Sequence, residues 1–344
     1  MNPSTTTLIM ISLATGTIIT ASSFHWFMAW IGLEMNTLAI IPIISKLHHP
    51  RATEAATKYF LTQAAASALI LFSSMINAWQ SGMWDITQPS NPTSSILFTI
   101  AIAMKLGLAP THFWLPEVLQ GVTMTTALII STWQKLAPMT LIYLTTNNLS
   151  PTTLILMGAL STCIGGWGGI NQTQTRKIMA YSSIAHFGWM AAISPMLTNI
   201  MLLNLTIYTM MTISMFTTLI MTKSKTIQNL TTTWTLSPAL TAITLLTLLS
   251  LGGLPPLSGF TPKWLILNEL IHQKFIIPTT IMALSSLLSL FFYLRLTYTT
   301  ALTLAPNTPN TTYKWRFSTQ LSTPLTTTIP MALLTLPITS ILTQ

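Results

Sequence analysis

"IAMKLGLAPTHFWLPEV", residues 102–118, sets a lysine inside an apolar run and then crowds Pro110, His112 and Pro116 into a few positions. Proline removes a backbone donor and clashes with the preceding turn. A helix that carries Lys105 must therefore break around residues 108–112. A second stretch, "LGGLPPLSGFTPKW", residues 251–264, repeats the signature, and Gly252, Gly253 and Gly259 add backbone freedom. Each stretch is expected to be two half-helices joined by a non-helical link. Inside a membrane such backbone is tolerated only where it is buried in protein or lines a wet cavity.

The composition says the surroundings are a membrane. Only 6% of the 344 residues are charged, and the mean hydropathy is +0.61. A soluble domain usually carries about 25% charged residues. An all-α polytopic membrane protein is the class that fits. The net charge of +9 does not indicate nucleic acid. The cations are scattered at segment ends, as the positive-inside rule expects. Cys163 is the single cysteine, which excludes a disulfide framework or cysteine-held cluster. The first 45 residues hold one charge, Glu34, and no Lys or Arg. Cleavable leaders need basic residues, so the chain is expected to begin directly with its first span.

A hydrocarbon core of about 30 Å needs about 20 apolar residues per helix, which gives about eleven spans. They are read at 3–22, 25–45, 55–79, 95–119, 122–145, 150–170, 176–194, 197–221, 238–272, 276–299 and 324–342. Spans four and nine contain the breaks. With this count Lys46, Arg51, Arg176, Lys177, Lys223, Lys225, Lys314 and Arg316 fall on the N-terminal side, and only Lys274 on the other. The N-terminus is then expected in the cytosol or matrix and the C-terminus opposite. The breaks lie about 145 residues apart. This divides the chain into a first five-span repeat, 1–146, a second, 147–300, and a surface loop with a final helix, 301–344. Five is odd, so the second copy enters the membrane inverted. Inverted repeats with paired broken helices mark transporter folds with a site near the midplane.

Four charges fall within spans: Glu34, Lys105, Lys135 and Lys263. Left unpaired, they would cost on the order of 10 kcal/mol. Pairing, neutralisation or water must lower that, and lysine, unlike arginine, can be neutralised by losing its proton. A static ion pair that fixes packing accounts for one acid and one lysine, but poorly for one acid and three lysines on four spans. His112 at the first break and His186 deep in span seven suit either structural hydrogen bonding or proton relay. Lys58 lies four residues after Glu54, the spacing of a helical ion pair; alternatively it reaches inward to Glu34. Glu117 is a further loop or interface acid. "GGWGG", residues 165–169, lacks the Lys-Ser/Thr of a phosphate loop and reads as close helix packing. No metal, redox or nucleotide pattern is present.

Several stretches carry a resemblance: "WIGLEMNTLAIIP" at 30–42, "EAATKYFLTQAAAS" at 54–67, "KLGLAPTHFWLPEVLQG" at 105–121, "TWQKLAP" at 132–138, "QTQTRKIMAYSSIAHFGW" at 172–189 and the second break. Together they resemble the antiporter-like membrane subunits of respiratory complex I, over essentially the whole chain. The resemblance implies Glu34 and Lys105 as the charged pair of a first half-channel, Lys135 as the connecting lysine and Lys263 as the lysine of a second half-channel. It implies proton translocation coupled to electron transfer from NADH to ubiquinone, in the mitochondrial inner membrane with the N-terminus in the matrix and the C-terminus in the intermembrane space. It implies no cofactor in this chain: NAD, FMN, iron–sulfur clusters and ubiquinone are used elsewhere in the complex. The implied partners are other membrane-arm subunits, adjacent antiporter-like and small ones among them, and lipids such as cardiolipin. Bacterial members have fourteen helices, and this chain resembles metazoan versions without the first three. The fold and charges suit a stand-alone cation/proton antiporter equally well, and a purely structural span is the third reading.

Overall fold

The structure is a computed structural model. It describes residues 3–47, 49–87, 91–236, 238–303, 327, 329 and 330. His48, Lys314, Arg316 and the span at 324–342 lie outside the described residues.

The chain is helical, and no strand occurs among the described residues. The first three helices are α1 (Pro3–Ser22), α2 (Trp26–Ile44) and α3 (Pro50–Ser81). Gly16 of α1 and Gly32 of α2 let these two backbones nearly touch: a Cβ on Gly32 would lie 2.9 Å from the Gly16 carbonyl. Small residues at such crossings replace the hydrophobic drive that lipid removes. α3 is longer than the 55–79 expected. His49 caps its start, with Nδ1 accepting from the Arg51 amide, and Pro50 sits in its first turn, where a missing donor costs nothing. It ends at Gly82, in the left-handed region (φ 72).

The first break is present. α4 (Pro92–Leu106) stops at Gly107 (φ 71), and the chain resumes as α5 (Trp114–Gly121). The next span was expected to be continuous and is not. α6 (Met124–Ser131) and α7 (Trp133–Thr145) are separated at Thr132. The Thr132 hydroxyl and amide both donate to the Leu128 carbonyl. Pro138 weakens the same segment from within α7.

There follow α8 (Pro151–Ile170), α9 (Thr175–Ile193) and α10 (Thr198–Thr222). Two short helices, α11 (Ile227–Thr231) and α12 (Thr233–Leu236), lead to α13 (Pro238–Gly252). The second break, beginning at Gly253 (φ 81), separates α13 from α14 (Phe260–His272), and α15 (Ile276–Leu302) follows. In "GGWGG", Gly165 faces Ala185 of α9, while Gly166 and Gly169 face α15. That is the packing role expected of it. Among the described residues six helices, α1, α2, α3, α8, α10 and α15, are long and apolar enough to cross a membrane.

The chain divides into two compact units. Unit 1 comprises residues 1–161 and 191–198; unit 2 comprises 162–190 and 199–344.

Candidate proton-handling sites

In unit 1 the acid and two lysines are held by four helices. Glu34, half-buried on α2, accepts from the Ser67 hydroxyl of α3 and, at 2.8 Å, from the Thr37 hydroxyl one turn along. Both carboxylate oxygens thus have a donor. Lys105 is the penultimate residue of α4 and is 4% exposed. Its Nζ is buried without a hydrogen-bond partner among the described residues. Glu34 acts on it through space but does not form a direct ion pair.

Lys135, on α7, is 2% exposed. Its ammonium donates to the Leu106 carbonyl and lies 5.3 Å from the centre of the Trp114 ring, within cation–π range. The break makes this possible. The last carbonyls of a helix lack internal partners. Trp114 Nε1 donates to Met104 O at 3.1 Å, and Lys135 takes Leu106 O. Lys105 and Lys135 line one cavity, together with Asn36, Tyr59, Gln63 and Gln134. Tyr59 Oη donates to Gln134 Oε1 at 3.4 Å, and Gln134 Nε2 to the Asn36 carbonyl at 3.3 Å. The Asn36 amide and Gln63 Nε2 are buried without partners. Polar groups in that state are ordinarily met by water.

His112 sits in the link after the first break, 4% exposed, with Nδ1 buried and unpartnered and its ring 4.3 Å from that of Phe113. Lys58 does not turn toward Glu34. Its ammonium lies between Glu54 at 2.5 Å and Glu117 at 2.6 Å, on a partly exposed face. Glu54 is one helical turn away on α3. Glu117 is on α5, so the pair ties the far limb of the break to α3.

Unit 2 contains the other two groups. Lys263 of α14 donates to the Gly252 carbonyl, the end of α13, at 2.9 Å. A Cβ on Gly253 would meet Lys263 Nζ at 2.9 Å, so glycine there serves both the left-handed turn and the lysine. His186 of α9 is 5% exposed; its ring lies 5.4 Å from that of Tyr208, and Lys263 acts on it through space. His186, Trp189, Lys263, Ser289 and Tyr293 line one cavity.

The structure thus joins Lys105 to Lys135 and His186 to Lys263, and leaves Lys58 at a surface. Sequence reading missed Ser67, Asn36, Gln63, Tyr59, Gln134 and Tyr293. A signal did exist for three of them: Tyr59, Gln63 and Ser67 recur every four residues in an apolar helix.

Residues 23–289 match the family model described as NADH:quinone oxidoreductase/Mrp antiporter, TM, and residues 290–343 the NADH dehydrogenase subunit 2 C-terminus. The chain is 59% identical to the NADH-ubiquinone oxidoreductase chain 2 of Xenopus laevis, covering 92% of each chain. It is 56% identical to that of Polypterus ornatipinnis, covering 98% of each. A chain of respiratory complex I from Thermus thermophilus superposes with a TM-score of 0.85 at 25% identity, over 97% of this chain and 78% of that one. The Mrp complex of Dietzia shares the fold at 15% identity, with a TM-score of 0.78 over 88% of this chain and 61% of that one. Family match and whole-length identity agree, and the chain belongs to the NADH-ubiquinone oxidoreductase chain 2 family.

Proposed function

We propose that the chain is a core membrane subunit of NADH:ubiquinone oxidoreductase and moves protons across the mitochondrial inner membrane as electrons pass from NADH to ubiquinone. The observation that carries this is the shared cavity of Lys105 and Lys135 with Glu34 nearby. It places two lysine side chains in one buried cavity, one bonded to a carbonyl and one without a hydrogen-bond partner among the described residues. A buried charge left so is costly unless it is paired or neutralised by proton loss. Lys105 is the group that changes its proton, under the field of Glu34, and Lys135 is the next carrier. Lys263 and His186 exchange protons within unit 2. His112 supplies a relay at the first break, and Lys58 holds the surface near it.

Eleven spans in two inverted repeats, 1–146 and 147–300, with the N-terminus in the matrix and the C-terminus in the intermembrane space, go with this reading. The positive residues on one side of the membrane support it. The relatives' name and the Thermus assembly support other complex I membrane subunits as partners. Anionic lipids such as cardiolipin fit the basic segment ends. NAD, FMN, iron–sulfur clusters and ubiquinone belong to other parts of the complex. Lys105→Met in the assembled complex tests the function. The expected result is a lower proton-to-electron ratio with electron transfer retained; a normal ratio overturns the assignment.

A further inference from the structure

The buried face of α3 carries polar side chains well beyond the Glu34 region. Tyr59, Gln63, Ser67, Ser73, Ser74 and Asn77 are all buried. Steps of four residues from Tyr59 to Ser67, seven from Ser67 to Ser74 and three from Ser74 to Asn77, with Ser73 adjacent, keep them on one side of the helix. From Tyr59 to Asn77 the stripe rises ~27 Å at 1.5 Å per residue, close to the ~30 Å thickness of the hydrocarbon. The serines donate to carbonyls of their own helix and suit close packing. But Gln63 Nε2 and both amide atoms of Asn77 are buried without partners, and such groups cost free energy in a membrane unless something bonds to them.

The stripe connects two cavities within unit 1. One holds Lys105 and Lys135. The other lies at the opposite end of the unit from Lys58 and is lined by Trp26, Ser74, Asn77, Ser94, Ser95 and Asn148, among others. Asn77 is 2% exposed, and both atoms of its amide are buried without partners; Trp26 Nε1 is in the same state. The hydroxyls of Ser74, Ser94 and Ser95 donate to carbonyls of their own helices, which leaves their lone pairs to accept. Unpaired N–H donors, an unpaired amide oxygen and hydroxyl acceptors around one space match water, which gives and takes hydrogen bonds. Among the described residues no charged side chain lines the space.

Two buried apolar residues lie within the stripe, the small Ala66 beside Ser67 and the larger Ile70; Ile70 stands where the polar row is broken. Ile70 is 1% exposed. On one side of it Ser67 donates to Glu34; on the other lie Ser73 and Ser74. Ser67 and Ser74 are about 10 Å apart along the helix axis. Hydrophobic constrictions of this kind gate by excluding water.

We propose that unit 1 contains a neutral, water-binding vestibule at Asn77, joined along α3 to the Lys105–Lys135 cavity and closed by Ile70. It gives unit 1 its own route for protons to the membrane face opposite Lys58. The direction of flow rests on the proton-translocation reading; the vestibule and its gate rest on geometry. The step is a proton transfer alone. A proton released by the Lys105 ammonium crosses on water along α3 to the Asn77 vestibule, and the amine is reprotonated from the Lys135 side.

The test uses the intact complex in liposomes with turnover blocked. Ile70→Ser is expected to raise passive proton conductance about tenfold, as lowering a barrier by ~1.4 kcal/mol does. Adding Asn77→Leu is expected to return it to the starting level. Unchanged conductance in assembled Ile70→Ser, or conductance that survives Asn77→Leu, overturns the proposal. If Ile70→Ser does not assemble, Ser74→Cys decides. Modification by a small water-soluble thiol reagent, read as a mass increase on this chain beyond that at Cys163, supports the vestibule, and its absence removes it. Lys105→Met that lowers pumping while Ile70→Ser does not leak leaves the proposed function standing and removes only this route.

Discussion

Lys263 Nζ lies 2.9 Å from the carbonyl oxygen of Gly252, the last residue of α13. Lys135 stands in the same relation to Leu106, the last residue of α4. In each unit a helix stops at a left-handed glycine, and a lysine ammonium takes the carbonyl that the stop releases. The carbonyl end of a helix carries partial negative charge, which favours a cation there. The lysine comes from a different helix in unit 1 and from the far limb of the break in unit 2. One physical solution is reached by two chain routes.

Lys135→Met is expected to remove both the bond to Leu106 and the contact with Trp114. A buried carbonyl left without a donor costs about 1–3 kcal/mol. The complex should assemble with reduced thermal stability and reduced pumping. Thermal unfolding of the complex and the proton-to-electron ratio check this together. A loss of stability with unchanged pumping would make Lys135 a structural clamp only.

Gly82 and Gly253 both have positive φ, but a Cβ on Gly82 meets nothing within 4 Å, whereas one on Gly253 meets Lys263. Alanine in the left-handed region costs about 1–2 kcal/mol at either site. Gly82→Ala should lower stability and leave pumping intact. Gly253→Ala should also displace the ammonium and lower pumping. Equal effects of the two variants on turnover-normalised pumping would show that the Lys263–Gly252 contact has no functional part.

Ser67→Ala leaves one oxygen of Glu34 without its inter-helix donor, since Thr37 serves the other. The carboxylate is then free to change rotamer, and its influence on Lys105 weakens. A partial fall in proton-to-electron ratio is expected, smaller than that of Glu34→Gln and restored by Ser67→Thr. No rescue by threonine would mean that the hydroxyl is not what positions Glu34.

Glu117→Gln removes one arm of the Lys58 triad. Exposed ion pairs contribute little, and Glu54 still holds the ammonium. Near-normal stability and pumping are expected, measured at low and physiological salt. A clear loss of pumping in a fully assembled complex would bring Glu117 into the proton path.

Much of this was legible in the residues. Six of the expected spans return among the described residues as single helices long and apolar enough to cross a membrane, because a run of about 20 apolar residues has few other options there. The breaks at Gly107 and Gly253 follow from proline and glycine, whose backbone effects are local. The interruption at Thr132 was not legible. No glycine or proline stands at the interruption to mark it. Asn36 and Gln63 were missed because a polar residue in a helix shows no partner in sequence; that they lack one is visible only once the helices are packed.

Read alone, the sequence determined the membrane class and the broken helices, since each follows from local chemistry and from the sparing use of charge. Partnership was decided by tertiary structure alone. Lys58 goes to Glu117 and not to Glu34, Lys135 goes to the Leu106 carbonyl, and the polar face of α3 lies between two cavities. A hydrogen bond needs its atoms within about 3 Å, and only packing brings together residues that lie tens of positions apart in the chain.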